Sequence, residues 1–265
     1  MKVKLRCLAS AMPKVLIVVD EESDLLGEAL KQAILTPSVT PRTPRLSDTK
    51  KSLSSQDDLS ACCEVEVETI ASFQQKLTDT ICLQDILLCP LTLDIPDTLE
   101  FPQKGVYQDC RDVAGLRQRV EEGLHSSTGE GRLWLPIVLT AKGALYAEAI
   151  TWVDQDLVGS PLSYLQPFHL PDRYRQPLYE LGQRLLKLIS ATPSTYLMQF
   201  GFAGETVFFD RLFPFPGAPA IASLNVQSPD LFECHWRCLN NAPISDLTIA
   251  QVSRHQVFQP SLSDS

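Results

Sequence analysis

An uninterrupted apolar run, KVLIVVD from Lys14 to Asp20, opens the patterned part of this chain. Such a run is typical of a strand that is buried on both faces, as in a parallel sheet covered by helices. Ser23 can cap the segment that follows, in which apolar residues between Leu25 and Ile34 recur at helical spacing. A buried strand that leads directly into an amphipathic helix predicts an α/β layer.

The alternation of strand and helix continues toward residue 89. Glu64–Ile70 (EVEVETI) alternates like a strand, Ser72–Thr78 favours a short helix, and Asp85–Cys89 (DILLC) is a second buried strand pattern. Three strands separated by two helices predict a small parallel sheet, here a Rossmann-like layer. Residues 36–60 are rich in Ser, Thr, Pro and charge and contain no aromatic residue, which predicts a disordered insertion.

Hairpins and longer helices replace this pattern after a proline-spaced connection at 90–102. The predicted elements are a helix from Asp112, strands Leu133–Thr140 and Ala144–Val153 around a Lys142–Gly143 turn, a helix from Pro171, strands Tyr196–Phe202 and Thr206–Leu212, and a helix over Ser228–Asn240. We therefore predict an α/β protein with a Rossmann-like region at 1–100, an α+β domain at 101–250 and a polar, frayed tail at 251–265.

Composition excludes several classes of function. The 265 residues include 23 Lys and Arg against 32 Asp and Glu, a formal charge of −9 that disfavours nucleic acid as a partner. No apolar run approaches 18 residues, so no membrane span is predicted. The first residues lack the apolar core of a signal peptide, and the eight cysteines form no CxxC pair, which favours a cytoplasmic protein with buried thiols.

The most specific motif is Pro214-Phe215-Pro216, followed at fixed spacing by Ser228, Phe232, His235, Arg237, Asn241 and Pro243. In ATP-grasp enzymes a Pro-Arg-x-His-Asn-Ser-Gly-His stretch precedes a Ser-Gln-Phe-Glu-x-His-x-Arg helix that ends in Gly-x-Pro, and the spacing agrees without a gap. Residues 135–244 therefore resemble the C-terminal part of the ATP-grasp family, most closely 5-(carboxyamino)imidazole ribonucleotide synthase. Phe101–Leu124 matches the same family more weakly.

This resemblance implies an ATP-grasp-like α+β domain with a degenerate ATP and magnesium site at Gln199, Asp210 and Arg211, so no cofactor is predicted, and ATP with magnesium is the alternative. Family members carry two acidic magnesium ligands on adjacent strands; these positions fall on Gln199 and Arg211, and a neighbouring family Asn falls on Asp210. An arginine cannot bind a cation, and an amide is a poor ligand for magnesium. Arg211 can instead contact a phosphate or form a salt bridge, and Asp210 is either a surviving ligand or a turn or surface acid.

The substrate side of the implied site is also changed. The family's Arg becomes Phe215, and its His-Asn-Ser-Gly-His stretch becomes residues 217–221. The aromatic residues in this region are either core filling or a surface for a protein partner: Phe208, Phe209, Phe213, Phe215 and Trp236.

Three other functions have weaker signals. VVDEE at 18–22 resembles the start of a receiver domain, but its acceptor aspartate would fall on Cys89. Cys234, His235 and Cys238 lie on a predicted helix, where Cys234 and Cys238 are four residues apart and face the same way; with Cys62 and Cys63 they are the candidates for a zinc site. No G-x-S-x-G elbow supports a hydrolase, and the glycine motif of NAD or FAD binding is absent.

The sequence therefore favours a non-catalytic ATP-grasp-like protein with a regulatory or assembly role, without a catalytic residue or a metal of its own. A nucleotide, a protein partner and a second copy of the chain remain open as partners. The competing hypothesis is an ATP-dependent carboxylate–amine ligase or carboxylating enzyme with a rearranged metal site.

Overall fold

The computed structural model describes residues 14–20, 24–36, 63–78, 86–153, 163–249 and 256–257. The insertion expected at 36–60 lies outside these residues, apart from Thr36. The described helices are α1 (Asp24–Leu35), α2 (Ile70–Thr78), α3 (Lys104–Arg111), α4 (Val113–Leu124), α5 (Asp172–Leu188) and α6 (Leu231–Leu239), with a 3₁₀ helix at Ala218–Ser223. The strands are β1 (Lys14–Val19), β2 (Glu64–Thr69), β3 (Ile86–Pro90), β4 (Leu133–Thr140), β5 (Gly143–Tyr146), β6 (Ala149–Val153), β7 (Ser163–His169), β8 (Ser194–Ala203), β9 (Thr206–Phe213), β10 (Gln227–Ser228), β11 (Thr248–Ile249) and β12 (Gln256–Val257).

The N-terminal layer is the parallel sheet that the sequence predicts. Strand β1 lies between β2 and β3 and pairs with both in parallel. Val15, Ile17 and Val19 pack toward α1, whereas Leu16 and Val18 lie in a cluster with Phe73 of α2. Both faces of β1 are therefore covered, which explains its continuous apolar sequence.

The second sheet is largely antiparallel and has the order β12-β7-β6-β4-β8-β9, with β5 also paired to β4. One face, here called the first face, carries residues such as Trp134 and Leu197 and packs with α1 and α6 in a core shared with the N-terminal layer. The opposite, second face carries residues such as Met198 and Phe200 and packs against helices α3, α4 and α5.

Several boundaries differ from the sequence prediction. The strand expected at 144–153 is two strands, β5 and β6, which pair with different parts of β4. Helix α6 begins at Leu231 because the Asp230 carboxylate accepts hydrogen bonds from the backbone N–H groups of Phe232 and Glu233, both at 2.9 Å. Helix α3 and strand β7 were not predicted; α3 is only eight residues long and lies between the proline-spaced connection at 90–102 and the helix predicted from Asp112.

The structure describes two residues of the polar tail predicted at 251–265. Gln256 and Val257 pair in parallel with Phe168 and His169 of β7; the rest of the tail lies outside the described residues. None of the helices in the described ranges combines the length and the apolar character that a bilayer crossing requires.

Candidate functional site

Gln199 and Arg211 lie directly opposite each other on the neighbouring strands β8 and β9. Gln199 also lies opposite Trp134 of β4, so the three side chains share the first face of the sheet. The structure therefore brings together the two positions that the resemblance assigns to magnesium ligands. Neither side chain carries a carboxylate.

Asp210 is the extra residue of a β-bulge in β9. The register shifts so that Gln199 pairs with Arg211 while Phe200 pairs with Phe209, which leaves Asp210 without a partner on β8. Its side chain is only 2% exposed. The interpretation of Asp210 as a turn or surface acid is therefore wrong, because the bulge directs its carboxylate into the structure.

Two arginines and a backbone amide hold the buried carboxylate of Asp210. Arg117 of α4 donates from Nη2 to Oδ1 and from Nε to the Asp210 backbone carbonyl at 2.9 Å. Arg211 Nε donates to the same Oδ1 at 3.2 Å, and Gly131 N donates to Oδ2 at 2.8 Å. Both carboxylate oxygens are thus used inside the protein.

The connection between α4 and β4 closes over this ion-pair cluster. The backbone of Ser127 and Gly129 exchanges hydrogen bonds of 2.9 Å with Phe209 of the edge strand β9. Gln199 Nε2 donates to Gly131 O at 2.6 Å, and Arg117 Nη2 donates to Gly129 O at 3.0 Å. The connection is only eight residues long, from 125 to 132, and its backbone completes the polar contacts of the site.

Magnesium does not fit this arrangement. A magnesium ion needs several oxygen ligands in octahedral geometry, and the single carboxylate here is already paired with two guanidinium groups. A third cation beside those two would be repelled. Throughout the described ranges, no group of three or more His, Cys, Asp or Glu side chains could hold a metal ion.

Solved structures provide the comparison with known proteins. N5-carboxyaminoimidazole ribonucleotide synthetase from Thermotoga maritima matches with a TM-score of 0.63 and 10% identity, over 90% of this chain and 78% of that one. Glycinamide-RNase-transformylase T from Mycobacterium tuberculosis matches with a TM-score of 0.58 and 16% identity, over 87% and 80%. The Staphylococcus aureus N5-carboxyaminoimidazole synthetase, complexed with ADP, gives 0.60 and 8% over 91% and 81%. No protein-family model and no curated protein sequence matches the chain.

The chain has the ATP-grasp fold. The likeness covers both the parallel layer and the antiparallel sheet, whereas the sequence resemblance was confined mainly to residues 135–244. At these identities the comparison establishes the fold alone, so the chemistry of the site depends on the side chains of this chain.

The aromatic residues near the site divide into two groups. Phe209 and Phe215 are buried in the core, and Phe215 stacks on Tyr107 with ring centres 5.8 Å apart. Phe208, Phe213 and Trp236 are only partly buried. Core filling is therefore confirmed for the first two, and a binding role remains a prediction for the others. Residues 217–221 lead into and form the 3₁₀ helix beside Phe215.

The zinc hypothesis is not supported where it can be examined. Cys234 and Cys238 are buried within the apolar core, and burial raises the pKa of the Cys238 thiol to about 12. Zinc binding needs the thiolate, which this environment disfavours. Cys62 lies outside the described residues, and Cys63 packs beside the same apolar core as a partly buried side chain.

His235 is a buried structural histidine on α6. Its Nδ1 lies 3.1 Å from Ser194 Oγ, and that hydroxyl lies 2.8 Å from Pro214 O, to which it must donate. The backbone N–H of Thr195 also donates to Nδ1 at 3.5 Å, while the buried Nε2 has no partner in the described part of the chain. Because the serine hydroxyl is engaged and both side chains are buried, the pair is not a hydrolytic dyad.

Burial lowers the pKa of His235 to about 3, which makes stability depend on pH. The unfolded chain, with a histidine pKa of about 6.5, binds a proton between pH 6.5 and 3 that the folded state does not. We expect stability to fall as the pH drops through this window, by up to about 1.4 kcal/mol per unit. Urea unfolding at pH 7.5, 6.5, 5.5 and 4.5 measures the slope.

The His235→Gln variant is the control for this titration. It should lack the histidine contribution, so the difference in unfolding free energy between the two proteins should shrink toward acid pH. Asp230, whose pKa is raised by burial, acts in the opposite direction but is present in both proteins. A difference that stays constant from pH 7.5 to 4.5 would contradict the assignment.

Sequence reasoning missed Arg117 and Gly131. Arg117 follows Leu116 in a helix whose apolar positions were recognised, and a single arginine there is normally a surface residue. Gly131 lies in the connection between the helix predicted from Asp112 and the strand predicted from Leu133, where a glycine has no specific pattern. Its identity is dictated by space, because a Cβ atom there would overlap the carbonyl group of Phe200.

Proposed function

We propose that this chain is a non-catalytic protein of the ATP-grasp fold that acts through binding, in a regulatory or assembly role. The observation that carries the proposal is the state of Asp210, the only carboxylate of the three candidate site residues. Arg117, Arg211 and the Gly131 amide use both of its oxygens. The Asp210 carboxylate is therefore engaged in contacts within the protein, at the position where a catalyst would need a free metal ligand.

The chemistry of phosphoryl transfer supports this proposal. Transfer from ATP depends on positioning and on charge neutralisation by metal ions, so a site without metal ligands lacks most of the rate enhancement. The α4–β4 connection also packs its backbone against β9, next to the same cluster. The polar groups that a substrate would need to contact are therefore already hydrogen-bonded to one another within the protein.

An enzyme with a rearranged metal site is the second candidate, and the presence of Asp210 is the observation that favours it. Metal binding would require the Asp210 carboxylate to leave two guanidinium groups and a backbone amide. Breaking one partner of a buried ion pair typically costs about 3–5 kcal/mol, which a single new magnesium ligand would have to offset. We therefore rank this function second.

The remaining parts of the proposal concern partners and location. One neighbour of the same fold was solved with ADP, so a nucleotide is a reasonable ligand to test. A protein partner, a homodimer and a cytoplasmic location remain part of the proposal as the sequence suggested them.

The test is a turnover assay on the full chain with ATP and magnesium, in the presence of bicarbonate and candidate amine acceptors. We expect release of phosphate at the rate of the buffer control for the wild type and for Asp210→Asn alike. Magnesium-dependent release of phosphate that disappears in Asp210→Asn, with the variant still folded by circular dichroism, would overturn the proposal in favour of the enzyme.

A further inference from the structure

We infer that the former metal position has become an anion site: Arg211, supported by Arg117, binds a phosphate or polyphosphate anion directly and without magnesium. The inference rests on the proposed function, because it assumes that no metal is held there. It starts from the mismatch between magnesium and the residues present.

Arg211 has unused hydrogen-bond donors that face solvent. Its side chain is 41% exposed, and only Nε is engaged, with Asp210. Within the described residues, neither terminal nitrogen of Arg211 makes a hydrogen bond, and neither does Nη1 of Arg117. A planar guanidinium with two free terminal nitrogens suits two oxygens of one anion.

The local charge also favours an anion. Arg117 and Arg211 contribute two positive charges and Asp210 one negative charge, which leaves one positive charge in excess. Around this cluster, exposed Glu130 and Arg132 are opposite in sign, and Glu121, one helical turn beyond Arg117, has its carboxylate engaged by the hydroxyl of Thr128. Because Arg117 and Arg211 both contact Oδ1 of Asp210, their guanidinium groups are neighbours, and a bound anion would relieve their mutual repulsion.

A second, independent observation lies on the same face of the sheet. Trp134, two strands away in the same cross-strand row, is 5% exposed, and its indole N–H has no acceptor in the described part of the chain. Buried donors normally find an acceptor, so the indole N–H adds an unused donor to the face of the sheet that carries Arg211. Gln199 lies between Trp134 and Arg211 and uses its amide nitrogen to hold Gly131.

The surroundings favour a phosphate over a simple carboxylate. Pyrophosphate carries several oxygens, so one group can engage both terminal nitrogens of Arg211 while another reaches Nη1 of Arg117. Partly buried Phe208 and Phe213 lie on the same face of the sheet as Arg211.

The experiment is calorimetric titration of the full chain with inorganic pyrophosphate in a buffer containing EDTA. We expect binding without magnesium, weakened by added salt, and at least about tenfold weaker in Arg211→Gln. Arg211→Lys keeps the positive charge but loses the planar guanidinium with its two terminal nitrogens, so this variant should bind pyrophosphate with intermediate affinity. Thermal melts check that each variant is folded.

Arg132→Gln is the matched control, because it removes the same charge from an exposed residue of the adjacent connection. We expect its affinity to change less than twofold. No binding at millimolar pyrophosphate, binding that requires magnesium, an equal loss in both glutamine variants, or equally tight binding of malonate would each overturn the inference.

The pyrophosphate titration and the ATP turnover assay can fail independently of each other. If pyrophosphate binds as expected and magnesium-ATP is nevertheless turned over, the anion site stands and the non-catalytic role fails. If neither binding nor turnover is found, the non-catalytic role stands and the anion site fails.

Discussion

The Arg117→Met substitution is expected to lower the free energy of unfolding by about 3–5 kcal/mol, because it leaves the Asp210 carboxylate buried with one of its two cationic partners removed. Asp210 is almost fully buried, and Arg117 also donates to the backbone carbonyls of Asp210 and Gly129. The loss therefore releases α4 from β9 as well as removing charge. Urea unfolding monitored by circular dichroism measures the effect.

Two further variants identify the cause. Lys104→Met removes a surface ion pair with Glu100, whose side chain is 84% exposed, and should cost no more than about 1 kcal/mol. Adding Asp210→Asn to Arg117→Met should recover part of the lost stability, since a neutral amide then replaces the buried carboxylate. A cost for Arg117→Met as small as that for Lys104→Met would show that the cluster does not stabilise the fold.

Gly131→Ala is expected to have an effect of similar size, a loss of several kcal/mol, through steric exclusion. The added Cβ would overlap the carbonyl carbon and oxygen of Phe200, and these backbone atoms of β8 cannot move without disturbing the sheet. Displacing the connection would also break the hydrogen bonds from Gly131 N to Asp210 and from Gln199 to Gly131 O. Overpacking of this kind commonly costs about 1–3 kcal/mol before such losses are added.

Gly105→Ala is the matched control for this prediction. Gly105 lies in α3 with no atom within 4 Å of the position of an added Cβ. The substitution should therefore raise stability by about 0.5–1 kcal/mol through helix propensity. If Gly131→Ala unfolded at the same urea concentration as the wild type, the close contact between the connection and β8 would be wrong.

The sequence predicted those strands and helices in which the order of apolar and polar residues reflects which side chains are buried. The run at Lys14–Asp20 and the helix after it gave the first strand and helix of the parallel layer, because a strand covered on both faces has no polar side. The hairpin of β8 and β9 was likewise visible in two apolar strand patterns around Ala203–Gly204. Spacing around Pro214 and His235 gave the family resemblance.

The candidate site was only partly predictable. The resemblance, which implies two metal-ligand positions on adjacent strands, puts Gln199 and Arg211 together, and the structure has them opposite each other in a hairpin. The burial of Asp210 was not foreseen, since it depends on a bulge that shifts the register by one residue. Arg117 lies 93 positions from Asp210, and a contact over that separation leaves no local signal in one sequence.

The shared use of Asp210 by two arginines also bears on how such a site can evolve. Arg211→Glu alone would place a second carboxylate beside the Asp210 carboxylate, and Arg117 would be left to neutralise both. Arg117→Met alone would lower the free energy of unfolding, as described above. Conversion of this cluster into a metal-binding site therefore requires coupled substitutions, and each single substitution passes through a less stable protein.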